Sequence, residues 1–280
     1  MTFDPSSLKA LCFDAQGTLV DFTTPLIEAG ETLGAQRGFV ADWPEVIARW
    51  RAGYRAGMDA FLAGKRGWIS TDTIYREALD ALLHDYPWAQ HVSAEDRDAL
   101  NATWSRLRPW PDTQRGLSRL RSHYLTAALS NGSMASVIRI ARYGALPFDV
   151  ILTGELVQSF KPDPKVYALA VRSLGVAPDE IMMVASHKYD LVAARAQGFR
   201  TAFIARPLEF GPGAAVDVTP DPTFDCNVTD MEALANRLGA YAIGCIGTKS
   251  AVAAASARDK HLSDQNASRT PLPQKDHASF

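Results

Sequence analysis

Short apolar runs alternate with segments of helical periodicity along much of this chain, and that alternation strongly constrains its fold. The apolar runs have the length and composition of buried strands and lie at residues 8–14, 125–130, 150–153, 181–185 and 201–204. From about Trp110 onward they alternate with helical patterns, as in a parallel sheet covered by helices on both faces. The sequence therefore predicts an α/β fold built on a doubly wound parallel sheet.

The long stretch between the first two predicted strands, residues 22–107, has a different character. Its apolar residues follow helical spacing, for example at residues 73–83, and it is rich in tryptophan. These features predict a helical cap inserted into a core that comprises residues 1–21 and 108–242. The last segment, residues 243–280, consists largely of Ala, Ser, Asp, Lys and Pro, a composition typical of a disordered tail.

Composition narrows the class of protein further. A chain of 280 residues with 47% hydrophobic residues can bury a large core, and its net charge of −2 gives no basic surface for nucleic acid. The N-terminal residues lack the basic and apolar regions of a leader, and no apolar stretch has membrane-spanning length, so we expect a cytoplasmic protein without membrane partners. The cysteines lack metal-binding spacing and indicate neither zinc nor disulfides: Cys12, Cys226 and Cys245.

The first apolar run ends in Asp14, which is followed at once by the turn residues Gly17 and Thr18. In open α/β sheets the ligand crevice lies at the carboxyl ends of the strands, so this carboxylate is a candidate nucleophile. A plainer interpretation is also open, in which Asp14 ends the strand and Gly17 serves a tight turn.

Three later segments add polar groups that would meet Asp14 at the same edge of the sheet. Ser130 and Asn131 end the second run, Lys161 precedes a proline-rich helix start, and the fourth run leads through Ser186 to Asp190. Each segment alone could be a turn or a helix start. Their order, spacing and context together point to one catalytic site.

These four segments resemble the motifs of the haloacid dehalogenase superfamily, whose core is Rossmann-like, and most closely its type II (S)-2-haloacid dehalogenases. The resemblance covers residues 8–238, and Trp50 and Arg51 resemble that family's Trp-Arg pair, whose arginine reaches from the cap into the active site. A solvated helix face is the alternative for Arg51. Two positions depart from the family: Gln16 replaces a common aromatic residue, and His187 replaces a common asparagine.

The resemblance implies an enzyme that converts short (S)-2-haloalkanoic acids into (R)-2-hydroxy acids and halide through an aspartyl ester. The implied catalytic residues are Asp14, Thr18, Arg51, Lys161, Ser186 and Asp190. The implied substrate-binding residues are Ala15, Gln16, Ser130, Asn131, Tyr167 and His187. Type II relatives are commonly dimers, so a homodimer is expected besides the small-molecule 2-haloacid.

Residue chemistry agrees with these roles. An ammonium beside Asp14 would keep that carboxylate ionised, and Lys161 can supply it. Ser130, Asn131 and backbone N–H groups such as that of Ala15 could receive the substrate carboxylate, while Arg51 with Asn131 could stabilise the departing halide. Asp190, with Ser186, Thr18 and Lys161, would orient the water that opens the ester, with His187 as the alternative.

Two other functions remain open. Superfamily phosphatases carry a second aspartate at the position of Gln16, which acts as an acid and helps to bind magnesium; glutamine cannot donate that proton. We therefore expect no metal and no cofactor. His187 and Lys188, which neighbour Asp190 in the sequence, also disfavour magnesium binding. A phosphohydrolase acting on a small phosphorylated metabolite, or a non-catalytic protein that keeps the fold, are the alternatives.

Overall fold

A six-stranded parallel sheet forms the centre of residues 4–241, the part of the chain that the computed structural model describes. Its strands lie in the order β5-β4-β1-β6-β7-β8. Their bounds are β1 Ala10–Phe13, β4 Leu125–Ser130, β5 Val150–Thr153, β6 Ile181–Ala185, β7 Arg200–Ile204 and β8 Cys226–Val228. The five predicted strands are confirmed, while β8 was not predicted because it is short and only its first residue is buried.

Alternate side chains of the central strands pack on opposite faces of this sheet, as strand geometry requires. Leu11 and Phe13 of β1 enter one hydrophobic cluster, whereas Ala10 and Cys12 enter the other. The helices of the core then cover both faces: α5 Thr113–Arg121, α6 Met134–Tyr143, α7 Pro164–Leu174, α8 Lys188–Ala196 and α9 Met231–Arg237. The predicted doubly wound α/β fold is confirmed, and Cys12 is a buried free thiol, as expected of a core residue.

Helices fill the stretch between the first two sheet strands. They are α1 Thr23–Arg37, α2 Trp43–Leu62, α3 Thr71–Leu83 and α4 Ala94–Ala102. Several begin at side-chain caps that satisfy free N–H groups: Asp42 accepts from Glu45 N, Ser70 accepts from Thr73 N, and Ser93 forms a capping box with Asp96.

A two-stranded antiparallel pair closes the base of this helical stretch. It joins β2 Val20–Asp21 to β3 Arg108–Pro109, and so brings the two ends of the insertion together. Buried aromatic rings stabilise the interior of the insertion, where Tyr75 stacks on Trp104 and Trp50 donates its indole N–H to the Tyr75 carbonyl over 2.7 Å. The division of the chain into core and cap at residues 22 and 107 stays a prediction.

Two parts of the sequence-based prediction concern residues that the structure does not describe. These are the expected disordered tail at residues 243–280 and Cys245. Within residues 4–241, no helix is both long enough and apolar enough to cross a membrane.

Candidate active site

The strand order of the sheet reverses at β1, and open α/β sheets bind ligands where such a reversal occurs. Asp14 follows β1 directly, Ser130 ends β4, and Ser186 follows β6, so parallel pairing brings all three to one edge. A cavity of about 430 Å³ opens there. Its polar lining includes Asp14, Gln16, Arg51, Ser130, Asn131 and His187, and its apolar lining includes Phe22, Ile47, Tyr54, Met58 and Phe210.

Asp14 lies in the wall of this cavity with a hydrogen-bond donor on each oxygen. Lys161 Nζ donates to Oδ1 over 2.9 Å, and Thr18 Oγ1 donates to Oδ2 over 2.9 Å. The His187 ring contributes a further contact, with Nδ1 3.1 Å from Oδ2. These contacts fix the carboxylate plane, which an in-line attack on a saturated carbon requires.

The charges around Asp14 keep it ionised. Burial by itself would raise its pKa, but the ammonium of Lys161 and the hydrogen bond from His187 outweigh burial and hold the pKa well below its ordinary value. Burial alone would lower the pKa of Lys161, but the carboxylates of Asp14 and Asp190 raise it, so the ammonium stays protonated. Asp14 is therefore available as an anionic nucleophile throughout the physiological pH range.

Lys161 is held between two carboxylates. Its ammonium lies 2.9 Å from Asp14 Oδ1 and 2.5 Å from Asp190 Oδ2, and only 1% of its side chain is exposed. Asn131 fixes the backbone of the lysine, since Oδ1 accepts from Lys161 N over 2.6 Å and Nδ2 donates to the Lys161 carbonyl over 3.3 Å. Asn131 thus positions the lysine as well as lining the cavity.

The same ammonium bears on the question of a metal. Lys161 already places a positive charge between Asp14 and Asp190, and this charge opposes the binding of a divalent cation to these two carboxylates. Gln16, two residues after Asp14, directs its amide oxygen to Tyr75 and Arg51, which are both donors. In residues 4–241, no group of three or more His, Cys, Asp or Glu side chains could hold a metal ion. The side chains around Asp14 therefore do not fit a magnesium ion.

Arg51 reaches the cavity from α2, opposite the strand ends. Its Nη1 donates to Tyr75 Oη over 2.7 Å and to Gln16 Oε1 over 3.4 Å, and its guanidinium lies over the rings of Phe22 and Tyr54 at 4.8 and 5.1 Å. Such stacking suits the flat, delocalised cation. The alternative of a solvated helix face therefore does not describe Arg51.

His187 bridges two acidic groups. Its Nε2 lies 2.7 Å from Oε1 of Glu209, a buried side chain, while Nδ1 faces Asp14. Burial opposes the charged form, but these two carboxylates raise the pKa of His187 well above its ordinary value, which favours the imidazolium form while Asp14 is free. Lys188 points elsewhere, because its ammonium contacts Asp217 on the surface.

Several residues named from the sequence lie behind the cavity wall rather than in it. Tyr167 is fully buried and donates to Asp190 Oδ1 over 2.7 Å, so its predicted direct contact with substrate is corrected to a support for Asp190. Ala15 is also buried beneath the wall, and its carbonyl accepts from Leu19 and Val20 N–H groups. The residues behind the lining are Ala15, Thr18, Lys161, Tyr167, Ser186 and Asp190.

The residues predicted to orient the water, Asp190, Ser186, Thr18 and Lys161, all lie in this layer behind the cavity wall. Thr18 Oγ1 accepts from Ser186 N–H over 2.9 Å and lies 3.1 Å from Ser186 Oγ, which connects Asp14 to the loop after β6. On α2 beyond Arg51, Tyr54 and Met58 line the cavity, whereas Phe61 packs on Phe160.

Sequence reasoning missed two contacts of the site. Glu209 lies in a loop between β7 and β8, and Tyr75 lies on α3, and neither residue belongs to a strand-end motif. The helical spacing of α3 placed Tyr75 on a buried face, which was the only signal for it. Nothing in the local sequence linked Glu209 to His187.

The chain resembles known proteins over most of its length. Residues 8–198 match the family model for haloacid dehalogenase-like hydrolases. The (S)-2-haloacid dehalogenase of Xanthobacter autotrophicus is 34% identical over 205 residues, which cover 71% of this chain and 76% of that protein. The structure of the L-2-haloacid dehalogenase of that organism, with chloropropionic acid covalently bound, is 25% identical with a TM-score of 0.67, covering 84% of this chain and 100% of that one.

Two further solved structures are more similar. The L-2-haloacid dehalogenase PA0810 is 40% identical with a TM-score of 0.79, covering 84% of this chain and 100% of that one. The defluorinating L-2-haloacid dehalogenase Rha0230 is 35% identical with a TM-score of 0.80, covering 85% and 100%. The chain therefore belongs to the haloacid dehalogenase-like hydrolases, in the type II branch of the (S)-2-haloacid dehalogenases.

Proposed function

We propose that this chain is a hydrolytic dehalogenase, which converts short (S)-2-haloalkanoic acids into (R)-2-hydroxy acids and halide through an ester on Asp14. The observation that carries the proposal is an ionised Asp14 in the wall of a largely apolar cavity, with Lys161 behind it and Arg51 across from it. The names of the relatives supply the substrate class. This activity uses no metal or cofactor.

In the first half of the reaction, Asp14 attacks C2 of the substrate from the side opposite the halogen. The carbon–halogen bond breaks as the carbon–oxygen bond forms, and configuration at C2 inverts because only one displacement occurs at carbon. Charge moves from the carboxylate to the halide. Arg51 is the fixed cation across the cavity that can receive this charge, and Asn131 supplies an amide nearby.

Binding of the substrate carboxylate beside Asp14 has to overcome repulsion between two anions. Ser130 and Asn131 line the cavity at the end of β4, together with Gly132. Their hydroxyl, amide and backbone groups are the candidate donors for that carboxylate. Gln16 completes the polar wall and also fixes Arg51, so it acts on the shape of the halide site.

In the second half, water attacks the carbonyl carbon of the Asp14 ester. The bond between that carbon and the ester oxygen breaks, and the oxygen that came from Asp14 leaves with the product. Lys161 and Thr18 stay within hydrogen-bond distance of the Asp14 oxygens and stabilise the charge that develops there. Asp190 holds Lys161 in place through their 2.5 Å contact.

A chelator experiment tests this function against a phosphohydrolase. Purified protein should release halide from (S)-2-chloropropionate in excess EDTA, since the ammonium of Lys161 occupies the site between the carboxylates. It should leave p-nitrophenyl phosphate nearly untouched, because Gln16 cannot protonate a leaving oxygen. Loss of halide release in EDTA, or strong phosphatase turnover with magnesium, would show that the dehalogenase function is wrong.

Arg51→Lys tests the halide site. Lysine keeps the charge but loses the planar group that contacts Tyr75 and Gln16, so we expect turnover to fall by about 10²-fold. Arg49→Lys on the same helix is the matched control, because Arg49 contacts Asp85 and Tyr86 away from the cavity. Halide release by both variants at saturating substrate measures the effect, and equal rates would remove Arg51 from the mechanism.

Two finer expectations stay predictions. These are assembly into a homodimer and a cytoplasmic location.

A further inference from the structure

The reaction described above does not use the contact between His187 and Glu209. His187 lines the cavity and lies 3.1 Å from the nucleophile, whereas Glu209 is 2% exposed and lies behind the ring. A buried carboxylate on one nitrogen of an imidazole fixes the tautomer and directs the other nitrogen at the reacting group. Here that other nitrogen, Nδ1, is directed at Asp14.

The surrounding loop holds Glu209 firmly. Its carbonyl accepts from Thr23 Oγ1 over 2.7 Å, and its N–H donates to the carbonyl of Arg206 over 3.1 Å. Arg206 is buried and forms two hydrogen bonds to Asp112, at 2.8 and 2.9 Å. The Glu209 side chain therefore sits on an anchored turn.

Gly17 leaves the space that the Glu209 carboxylate fills. A Cβ on Gly17 would lie 2.4 Å from Glu209 Oε1, and its φ of +83° also favours glycine. The turn that contains Gly17 and the loop after β7 therefore pack closely together where Glu209 contacts His187.

Asp190, the other candidate for activating water, is poorly placed for that task. It is fully buried, and its two oxygens accept from Lys161 Nζ over 2.5 Å and Tyr167 Oη over 2.7 Å. It also lies outside the cavity lining, whereas His187 is part of that lining. A water molecule in the cavity can therefore contact the imidazole, whereas Asp190 lies behind the wall.

We propose that Glu209 is a positioning residue that makes His187 the general base of the ester-opening step. The inference rests on the proposed dehalogenase function and deepens its second half. With Asp14 esterified, neutral His187 keeps its Nε2–H on Glu209 and presents the Nδ1 lone pair to water. Water gives one proton to Nδ1 as its oxygen bonds to the Asp14 carbonyl carbon, and its second proton goes to the departing hydroxy acid oxygen.

The protons of the complete cycle balance. Ester opening returns Asp14 as an anion beside a protonated His187, the form that the two carboxylates favour by raising the pKa of His187. The next esterification removes the Asp14 charge, so the imidazolium loses one of its two anionic partners, its pKa falls, and its proton leaves to solvent with the halide. The ring contacts Asp14 and Glu209, and the Tyr189 ring stacks on it at 5.7 Å. The neighbouring cations are Lys161, which contacts Asp14, Arg55, which lies over the Tyr189 ring, and Arg51 in the cavity lining.

Single-turnover kinetics of Glu209→Gln test the inference. Enzyme in excess is mixed with (S)-2-chloropropionate, free chloride is measured over time, and the Asp14 ester is followed by intact-protein mass spectrometry. Glu209→Gln should release chloride at nearly the wild-type rate but open the ester about 10²-fold more slowly, so the ester accumulates. The rate of ester opening should rise with pH as His187 loses its proton. In Glu209→Gln this rise should move to lower pH, because the imidazolium has lost the carboxylate that stabilised it.

His187→Gln is a second variant. The Asp14 ester should accumulate in it as well, and the rise of the ester-opening rate with pH that His187 causes should be absent. Asp217→Asn is the matched control, because it removes the surface contact of neighbouring Lys188 and leaves the ring alone. Equal slowing of chloride release and ester opening, or no accumulation of ester in either variant, would overturn the inference. Failure of the wild-type protein to release chloride would instead overturn the proposed function.

Discussion

Asp14→Asn should reduce halide release from (S)-2-chloropropionate by about 10⁴-fold or more, since the neutral amide is a poor nucleophile of nearly the same shape. The effect is expected to be this large because every later step passes through the ester on Asp14. The fold should survive, because the amide oxygen of the new side chain can still accept a hydrogen bond from Lys161 and the position lies after β1 in the cavity wall rather than in the apolar core. Halide release and thermal unfolding of the same preparation separate the two effects.

Asp21→Asn is the matched control for this change. Asp21 lies further along the same segment, and its carboxylate accepts from Thr24 N over 3.1 Å outside the cavity lining. It should keep wild-type turnover. Substantial activity in Asp14→Asn would show that Asp14 does not form the bond to carbon.

Lys161→Met should have the second largest effect, on both activity and stability. The substitution leaves Asp14 and Asp190 buried without the cation between them. Removing one partner of a buried ion pair typically costs about 3–5 kcal/mol of unfolding free energy. The pKa of Asp14 should rise, since burial now acts without the ammonium, and less nucleophile is ionised at neutral pH.

Urea unfolding at several pH values measures the Lys161→Met effect. The loss of stability should be largest at neutral pH and should shrink as pH falls, because protonation removes the uncompensated charges of the two carboxylates. Lys165→Met, an exposed neighbour on α7, should change neither stability nor turnover. Unfolding free energies that match wild type in Lys161→Met would contradict the role of the ammonium.

Much of the core could be predicted from the sequence, for a simple physical reason. Strands buried on both faces are continuous apolar runs, so β4 and β6 stand out at their observed bounds, as does the half-buried edge strand β5. Parallel pairing then brings their carboxyl ends together, which is why Asp14, Ser130 and the loop after β6 could be assigned to one site from the sequence.

Contacts between distant loops could not be predicted in the same way. Glu209 reaches His187 only because the loop after β7 folds back over Gly17, and no local periodicity encodes that approach. Tyr167 shows the opposite limit, since its place in a motif suggested substrate contact while its direction on α7 points it at Asp190. A motif identifies which residues gather at a site, and packing decides which of them the substrate meets.

One turnover in oxygen-18 water, with enzyme in excess over (S)-2-chloropropionate, tests the central claim most directly. If Asp14 attacks carbon, water enters the Asp14 carboxylate when the ester opens, and the hydroxy acid carries away an unlabelled protein oxygen. Mass spectrometry should then find the label in the peptide that contains Asp14 and none in the product. Label in the product with none in that peptide would mean direct attack by water and would leave Asp14 without its covalent role.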